Sequence, residues 1–336
     1  MNDGRPKYSI IVPVFNRVDE VRELLTSLCS QTFKDFEIVV VEDGSTEICR
    51  DVCLDSMRDG LNVQYFYKQN EGRSIARNYG MERALGQFFV FFDSDCVIPS
   101  DYLKRLDDAL SENPLDCFGG PDAAHKSFTN TQKAINYSMT SFLTTGGIRG
   151  GKVSLEKFVP RTFNMGFSRT VYEKVGGFRE MFSEDIDMST RIRLGGFTIG
   201  LIDNPVWHKR RVDFKKFFRQ VYVFGKSRIT LKLLYPDSLK LVHTLPALFV
   251  VGFVALVLLG LIISPLFLVP LLIYLIAIFI GALVKTHSLK IAFLAVPSAL
   301  IQLGGYGMGF IRDFMLKIVL RQGRNLDEEI EMRRGK

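Results

Sequence analysis

Short apolar runs alternate with amphipathic segments through the first part of the chain. Val18–Gln31 and Ser74–Leu85 carry apolar residues at helical spacing, and Ser45 is suited to cap a helix before the third run. Four runs of strand length, rich in β-branched or aromatic residues, separate these segments: Tyr8–Val14, Phe36–Val41, Asn62–Tyr67 and Phe88–Phe92. The order β-α-β-α-β-α-β predicts an α/β fold with a doubly wound, mostly parallel sheet.

The fourth run ends on two carboxylates, Asp93 and Asp95, with Ser94 between them. Parallel α/β sheets bind ligands beyond the carboxyl ends of their strands. Carboxylates at a strand end suit Mg²⁺ or Mn²⁺, ions that usually bind together with substrate phosphates. A polar strand exit that caps the next helix is the alternative. The spacing alone does not decide, because Asp185 and Asp187 repeat it.

Charge and hydropathy divide the 336 residues into two regions. The net charge of +7 is compatible with nucleic acid or with an anionic membrane surface. However, 241–284 and 291–311 contain no Asp, Glu, Lys or Arg. Such stretches are long enough to cross a bilayer. We therefore expect a membrane protein, with no nucleic-acid partner.

The apolar region predicts two or three transmembrane segments. As one helix, 241–284 would be about 66 Å long, so Ser264-Pro265 is expected to divide it into a hairpin of 241–263 and 265–284. A third segment at 291–311 would place the basic tail, 312–336, on the outer side, against the positive-inside rule. Pro297 and the glycines of 304–309 also allow a re-entrant segment. The sequence leaves this choice open.

Residues 212–240 are predicted to form basic amphipathic helices at the membrane interface. From Lys209 to Lys240 there are ten basic residues and two acidic ones, interleaved with aromatic residues. The polar N-terminus shows no signal peptide, so the preceding domain, 1–211, is expected in the cytoplasm. The predicted localisation is the cytoplasmic (inner) membrane, multi-pass.

Three other kinds of site are disfavoured. The five cysteines form no C-x-x-C pair, which favours reduced thiols over a metal centre. No G-x-G-x-x-G follows the first strand, which argues against a dinucleotide-binding enzyme. Gly146–Val153 imitates a P-loop but has Val153 in place of a hydroxyl residue and no preceding strand. We interpret it as a mobile glycine-rich loop.

Seven motifs in register resemble the family 2 glycosyltransferases, which have the GT-A fold. The resemblance extends over roughly 8–211, and any one motif alone is common. In chain order the motifs are Ser9–Asn16, Val41–Ser45, Asn70–Asn78, Phe92–Asp95, Asn164–Arg169, Val175–Phe178 and Ser183–Asp187.

The resemblance implies a role for most of these residues. Asp43 would accept hydrogen bonds from a uracil-like base, and Arg77 would lie near the diphosphate or brace the aspartates. Asp95, with Asp93 and His208, would hold Mn²⁺ or Mg²⁺. The residues expected to line the nucleotide sugar are Pro13, Val14, Phe15, Asn16, Asp43, Asn70, Gly72, Arg77, Asp93 and Ser94.

The acceptor half is expected to supply the base. Asp185, or secondly Glu184, would take the proton of an acceptor hydroxyl, and both stand where a helix is predicted to begin. The same position is common for acidic residues that only stabilise a helix. Residues expected on the acceptor side are Asn164, Gly166, Asp187 and Arg228.

The sequence therefore predicts a membrane-anchored, metal-dependent, inverting glycosyltransferase. It would move a sugar from a nucleotide diphosphate sugar, preferably UDP-linked, to a lipid-linked or growing glycan in polysaccharide biosynthesis. The alternatives are transfer to a polyprenyl phosphate and a non-catalytic membrane scaffold that retains the fold. A nucleotidyltransferase is disfavoured by the Glu184-Asp185 motif, and a transporter by the small number of spans.

Overall fold

The computed structural model describes residues 4–123, 128–146, 159–209 and 213–322. Its chain forms two compact units. The first comprises Met1–His125 and Phe158–Lys209, and the second comprises Lys126–Lys157 and Arg210–Lys336. Most of the glycine-rich loop and most of the basic tail lie outside the described residues.

Ten strands and twelve α-helices occur in the described parts of the chain. The strands are β1 (Tyr8–Val14), β2 (Phe36–Asp43), β3 (Val63–Lys68), β4 (Phe88–Phe91), β5 (Cys96–Val97), β6 (Cys117–Gly119), β7 (Asp122–Ala123), β8 (Met165–Ser168), β9 (Ile199–Leu201) and β10 (Val206–His208). The helices are α1 (Val18–Cys29), α2 (Arg50–Arg58), α3 (Arg73–Arg83), α4 (Tyr102–Glu112), α5 (Asn130–Thr140), α6 (Phe142–Thr145), α7 (Arg169–Val175), α8 (Glu184–Leu194), α9 (Phe214–Leu234), α10 (Leu245–Ile262), α11 (Val269–Thr286) and α12 (Leu289–Asp313).

The first unit is built on a seven-stranded sheet of order β3-β2-β1-β4-β8-β6-β9. The strands from β3 to β4 are parallel, whereas β8 runs antiparallel to both of its neighbours. Alternate residues of β1 point to opposite faces: Ile10 and Val12 join the core with α1, α2 and α4, and Ile11 joins the core with α3, α7 and α8. This confirms the predicted α/β class with a doubly wound, mostly parallel sheet.

A second sheet of three short strands, in the order β5-β10-β7, was not predicted. Its strands are two or three residues long, too short to leave a periodic signal in the sequence. Because β10 pairs with both β5 and β7, it brings the end of the first unit beside the residues that follow β4.

The second unit is helical and contains three helices that are long and apolar enough to cross a membrane: Leu245–Ile262, Pro265–Thr286 and Leu289–Val319. The last of these is α12 continued by a π-helical segment, Phe314–Val319. Short 3₁₀ segments occur at Pro236–Ser238, Leu241–His243 and Pro265–Leu268.

Residues 126–157 belong to the second unit, although the sequence places them in the first domain. The reason is the packing of α5. Its Ile135 and Met139 pack with Phe217 and Val221 of α9, and Tyr137 packs with residues of α11 and α12. An 11-residue helix without long apolar periodicity does not reveal in sequence which unit it will join.

Candidate active site

The acidic pair after β4 lies next to the last strand of the first unit. Because β10 pairs antiparallel with β5, His208 stands opposite Cys96, the residue after Asp95. His208 Nε2 is 3.1 Å from Asp95 Oδ1, and both side chains are partly accessible. The structure thus brings together two of the three residues that the sequence proposes as metal ligands.

His208 is held on two further sides. The ring of Phe163 stacks on the imidazole, with centroids 4.7 Å apart. Asp122 Oδ2, from β7, is 3.8 Å from His208 Nδ1, within ion-pair range but longer than a hydrogen bond. Asp122 was missed by sequence reasoning because it reaches His208 only through the pairing of β7 with β10.

The donor set fits a hard divalent cation. Adjacent ligands of an octahedral ion lie about 3 Å apart when metal–ligand bonds are about 2.1 Å, close to the Asp95–His208 separation. Cys96 Sγ also belongs to this cluster. However, burial, with the nearby charges of Asp95 and Asp93, raises the pKa of the Cys96 thiol well above its ordinary value. A neutral thiol is a poor ligand for Mn²⁺ or Mg²⁺.

Asp93 binds a buried arginine. Its Oδ1 accepts a hydrogen bond of 2.8 Å from Nη2 of Arg77, whose side chain is only 2 % exposed. Arg77 also donates to Glu184 Oε1 at 3.0 Å and to Thr162 Oγ1 at 3.1 Å. Buried charges are tolerated only when they are paired in this way. The position of Arg77 agrees with a bracing role toward the aspartates.

Glu184 and Asp185 are neighbours with different surroundings. The Glu184 side chain is 4 % exposed and binds two guanidinium groups, those of Arg77 and Arg73. Asp185 is more accessible, at 17 %. Its Oδ1 accepts the N–H of Ile186 in the first turn of α8, and its Oδ2 is 3.4 Å from Arg161 Nη1. Of the two candidates for the base, Asp185 is the more accessible to solvent.

Three consecutive residues connect these groups. Arg161 contacts Asp185, Thr162 accepts a hydrogen bond from Arg77, and the ring of Phe163 stacks on His208. The proposed base and the proposed metal ligands are therefore supported by one short segment before β8. Sequence reasoning missed this segment because its spacing indicates no chemistry.

The proposed nucleotide-binding residues also shape the loops at this edge of the sheet. Asn16 has a positive φ of 52°, and its Oδ1 accepts hydrogen bonds from the backbone of Thr46 and Glu47. The N–H of Asn16 donates to Ser45 Oγ. Ser45 therefore does not cap the next helix, which begins at Arg50 without a side-chain cap.

Asp43 accepts three intramolecular hydrogen bonds: from Lys68 Nζ at 2.8 Å, from Glu71 N at 3.0 Å and from Gly72 N at 2.9 Å. These bonds bring the loop of Asn70 and Gly72 to the end of β2. A carboxylate offers about four acceptor positions, so little capacity remains for a base. The predicted contact of Asp43 with a uracil-like base remains a prediction.

The other predicted nucleotide contacts differ in exposure. The Phe15 side chain is half exposed and accessible for stacking, whereas Val14 is buried in the core. Pro13 is partly buried on β1, and Ser94 lies between the two aspartates in sequence.

Three of the four residues expected on the acceptor side are integrated into the fold. Asn164 is fully buried and binds the carbonyl groups of Pro121 and Asn204. Gly166 lies within β8, where a Cβ atom would overlap with Phe118. Asp187 is fully buried between Arg179 and Arg191. The side chains of Asn164 and Asp187 are inaccessible to solvent here, and the predicted acceptor-side roles of these residues stay predictions. Arg228 lies on α9 of the second unit.

Comparison with known proteins agrees with this architecture. Residues 9–176 match the sequence model described as Glycosyl transferase family 2. Four relatives are 36–39 % identical to the chain, but the matched residues make up only 15–18 % of the length of these relatives.

Two other relatives are matched more extensively. Glycosyltransferase AglE of Haloferax volcanii is 24 % identical over 270 residues, which are 75 % of this chain and 83 % of that protein. The GalNAc(5)-diNAcBac-PP-undecaprenol beta-1,3-glucosyltransferase of Campylobacter jejuni is 34 % identical over 116 residues, 34 % of this chain and 38 % of the relative.

Among solved structures, the mannosyltransferase PcManGT from Pyrobaculum calidifontis, in complex with GDP-Man and Mn²⁺, superposes with a TM-score of 0.56. The sequence identity is 17 %, and the match extends over 93 % of this chain and 88 % of that chain. This similarity shows the fold.

Proposed function

Because the chain belongs to glycosyltransferase family 2, we propose that it is an inverting, metal-dependent transferase that uses a nucleotide diphosphate sugar. The observation that carries the proposal is the pairing of Asp95 with His208 at the carboxyl end of the sheet. The accessible carboxylate of Asp185 is linked to this pair through the segment Arg161–Phe163.

The proposed donor is a UDP-sugar, with a GDP-sugar as the second class. PcManGT, which shares the fold, is described with GDP-Man and Mn²⁺. In this chain Asp95 and His208 would hold Mn²⁺ or Mg²⁺, with Asp93 contacting the ribose or the metal through water. When bound, the ion would neutralise the diphosphate as the sugar leaves.

Asp185 is proposed as the general base. The acceptor oxygen forms a bond to the anomeric carbon on the face opposite the diphosphate, whose bond to that carbon breaks, and the acceptor proton moves to Asp185. A carboxylate in the first turn of a helix is stabilised in its ionised form, which keeps it able to take the proton. Glu184 is proposed to act indirectly, by holding Arg77 and Arg73 in place.

The proposed acceptor is a lipid-linked or growing glycan at the cytoplasmic face of the membrane, in polysaccharide biosynthesis. The name of the Campylobacter relative specifies a lipid-linked acceptor, and the three apolar helices agree with a multi-pass membrane location. A polyprenyl phosphate is the second candidate acceptor. It is already anionic and needs no base.

The test is a screen of UDP- and GDP-sugars for nucleotide release and transfer by the detergent-solubilised full chain. We expect release with Mn²⁺ or Mg²⁺, loss of release with EDTA, and no release by Asp95→Ala. Nucleotide binding without release would favour the non-catalytic scaffold, and release insensitive to EDTA would contradict the metal role.

To test the role of Asp185, donor affinity and transfer rate are both measured on one preparation. Asp185→Asn should keep donor binding and lose transfer by about 10²–10⁴-fold, the usual range of general base catalysis. If transfer continued at the wild-type rate, the anionic polyprenyl phosphate would become the preferred acceptor.

A further inference from the structure

Only one of the three apolar helices is extensively covered by protein. The spans at Leu245–Ile262 and Pro265–Thr286 have a mean hydropathy of 2.8 and bury 6 % and 11 % of their residues. The third, Leu289–Val319, has a mean hydropathy of 1.5, and half of the residues in its most apolar 18-residue stretch are buried. Composition alone does not distinguish a third crossing from a helix at the membrane surface, so its neighbours must be considered.

The C-terminal half of α12 runs alongside α9 in the same direction. Ile301 packs with Phe217, Gly305 faces Val221, and Lys317 Nζ donates to Thr230 Oγ1. Over this run α9 advances from 217 to 230, and α12 with its π-helical continuation advances from 301 to 317. These lengths are about 20 and 24 Å at about 1.5 Å per residue. Two helices that stay together over this length lie at the same depth.

Helix α9 is too basic to lie in hydrocarbon. Its cationic residues are spread along its length: Lys215, Lys216, Arg219, Lys226, Arg228 and Lys232. A charged side chain at the centre of a bilayer costs at least about 2.5 kcal/mol, so a crossing α9 would be strongly disfavoured. Such a helix is instead stable at the headgroup level. The part of α12 beside α9 must lie there too.

The N-terminal half of α12 also has a polar neighbour. Tyr137 of α5 packs with Ala292, Ala295 and Ala299 of α12. Helix α5 has the sequence NTQKAINYSMT, which does not meet the hydropathy of a membrane span. Helix α12 therefore contacts a polar helix in each of its halves: α5 in the N-terminal half and α9 in the C-terminal half.

Helix α12 packs against the half of the α10–α11 hairpin that lies away from its turn. Ala292 and Ala295 pack with Ile278 and Ala282 in the C-terminal half of α11. Gly307, further along α12, faces Pro246 and Val250 at the start of α10. Both contact regions lie in the half of the hairpin away from its turn, Pro265–Leu268. The turn itself is largely exposed.

We infer that α10 and α11 cross the bilayer as a hairpin, while α12 lies in the interface on the side that holds α9. Each hairpin helix has 18 residues, about 27 Å, close to the thickness of the hydrocarbon layer. Arg312, Lys317 and Arg321 then lie on the same side as the cations of α9. This removes the conflict between a third crossing and the positive-inside rule. The inference rests on the proposed membrane location and is independent of the proposed chemistry.

The test compares single cysteines in the full chain in sealed vesicles of known orientation, with a membrane-impermeant maleimide. The variants are Lys290→Cys at the start of α12, Gln322→Cys after its π-helical continuation and, as a reference, Asp237→Cys between α9 and α10. All three positions are exposed. The background carries Cys29→Ser, because the other four cysteines are buried.

We expect all three cysteines to react in vesicles of one orientation and to be protected in the other. Reaction of Lys290→Cys and Gln322→Cys in opposite preparations would establish a third crossing and overturn the inference. Protection of Gln322→Cys in both would also contradict it. Extraction of the wild-type chain by a carbonate wash would instead overturn the membrane location itself.

Discussion

At the residue scale, the site is defined by how neighbouring carboxylates differ in burial. Asp95 and Asp185 are accessible, whereas Glu184 and Asp187 are held by arginines inside the fold. A buried ion pair is sensitive to the removal of one partner, because the other charge is left without compensation. An accessible carboxylate can be neutralised with little effect on stability.

Glu184→Gln and Asp185→Asn provide a matched pair. Glu184→Gln should destabilise the protein by about 3–5 kcal/mol, since Arg77 loses its buried partner. Asp185→Asn should cost less, because Asp185 is 17 % exposed and its contact with Arg161 is longer, at 3.4 Å. By thermal unfolding in detergent, Glu184→Gln should lower the Tm by at least about 6 °C, and Asp185→Asn should lower it by less. Equal shifts in Tm for the two variants would show that the difference in side-chain burial does not determine the roles of Glu184 and Asp185.

Asp122→Asn tests how His208 is oriented. A carboxylate near the distal nitrogen of a metal-bound histidine holds the ring, and its loss typically weakens metal binding about 10–100-fold. We expect calorimetry to show that Asp122→Asn lowers the affinity for Mn²⁺ by about 10–100-fold. Histidine nitrogen coupling in pulsed EPR of bound Mn²⁺ should persist in Asp122→Asn and disappear in His208→Ala. Unchanged Mn²⁺ affinity in both variants would place the metal elsewhere.

At the element scale, glycines determine how closely α12 approaches its neighbours. A Cβ at Gly309 would overlap with the carbonyl oxygen of Tyr222 on α9, and one at Gly307 would overlap with that of Pro246 on α10. By contrast, a Cβ at Gly304 would have only Met308 Cε at 4.0 Å. Small residues allow helices to pack backbone to backbone.

Gly309→Ala and Gly304→Ala should therefore have opposite effects. Gly309→Ala forces α9 and α12 apart, with an expected cost of about 1–3 kcal/mol. Gly304→Ala gains helix propensity, up to about 1 kcal/mol, without a clash. The measurement is thermal unfolding of the full chain in detergent. A stabilised Gly309→Ala variant would mean that the two helices do not pack closely there.

At the scale of the whole molecule, each of the two compact units is built from two separate stretches of the chain. Residues 126–157 interrupt the first unit in sequence but fold with the second. Ile135 and Met139 of α5 are buried against residues of α9. A chain that ends near Arg211 would keep α5 and lose the helices that cover it.

Such a truncated chain is expected to aggregate in size-exclusion chromatography, because the apolar face of α5 becomes exposed. The same truncation with Ile135→Glu and Met139→Glu removes this face and should elute as a monomer. If the unmodified truncation were monomeric, the packing of α5 on α9 would not be needed to shield it. The domain bounds 1–211 thus remain a prediction that this truncation tests.

The sequence by itself determined the features that depend on local pattern. The apolar runs established the parallel strands because a strand buried on both faces leaves a continuous signal over several residues. The carboxylates after β4 and the charge-free stretches are likewise visible in the order of residues. The seven motifs indicated a family, and the match of residues 9–176 to the model of glycosyl transferase family 2 confirms it.

Only the tertiary structure decided which of these residues are accessible and which segments share an environment. Glu184 and Asp185 are adjacent in sequence, but their burial depends on Arg77, which is 107 residues from Glu184. Similarly, α12 has the length and composition of a membrane span, yet half of its most apolar 18-residue stretch is buried within the described part of the chain. Burial arises from long-range contacts, and no local pattern encodes it.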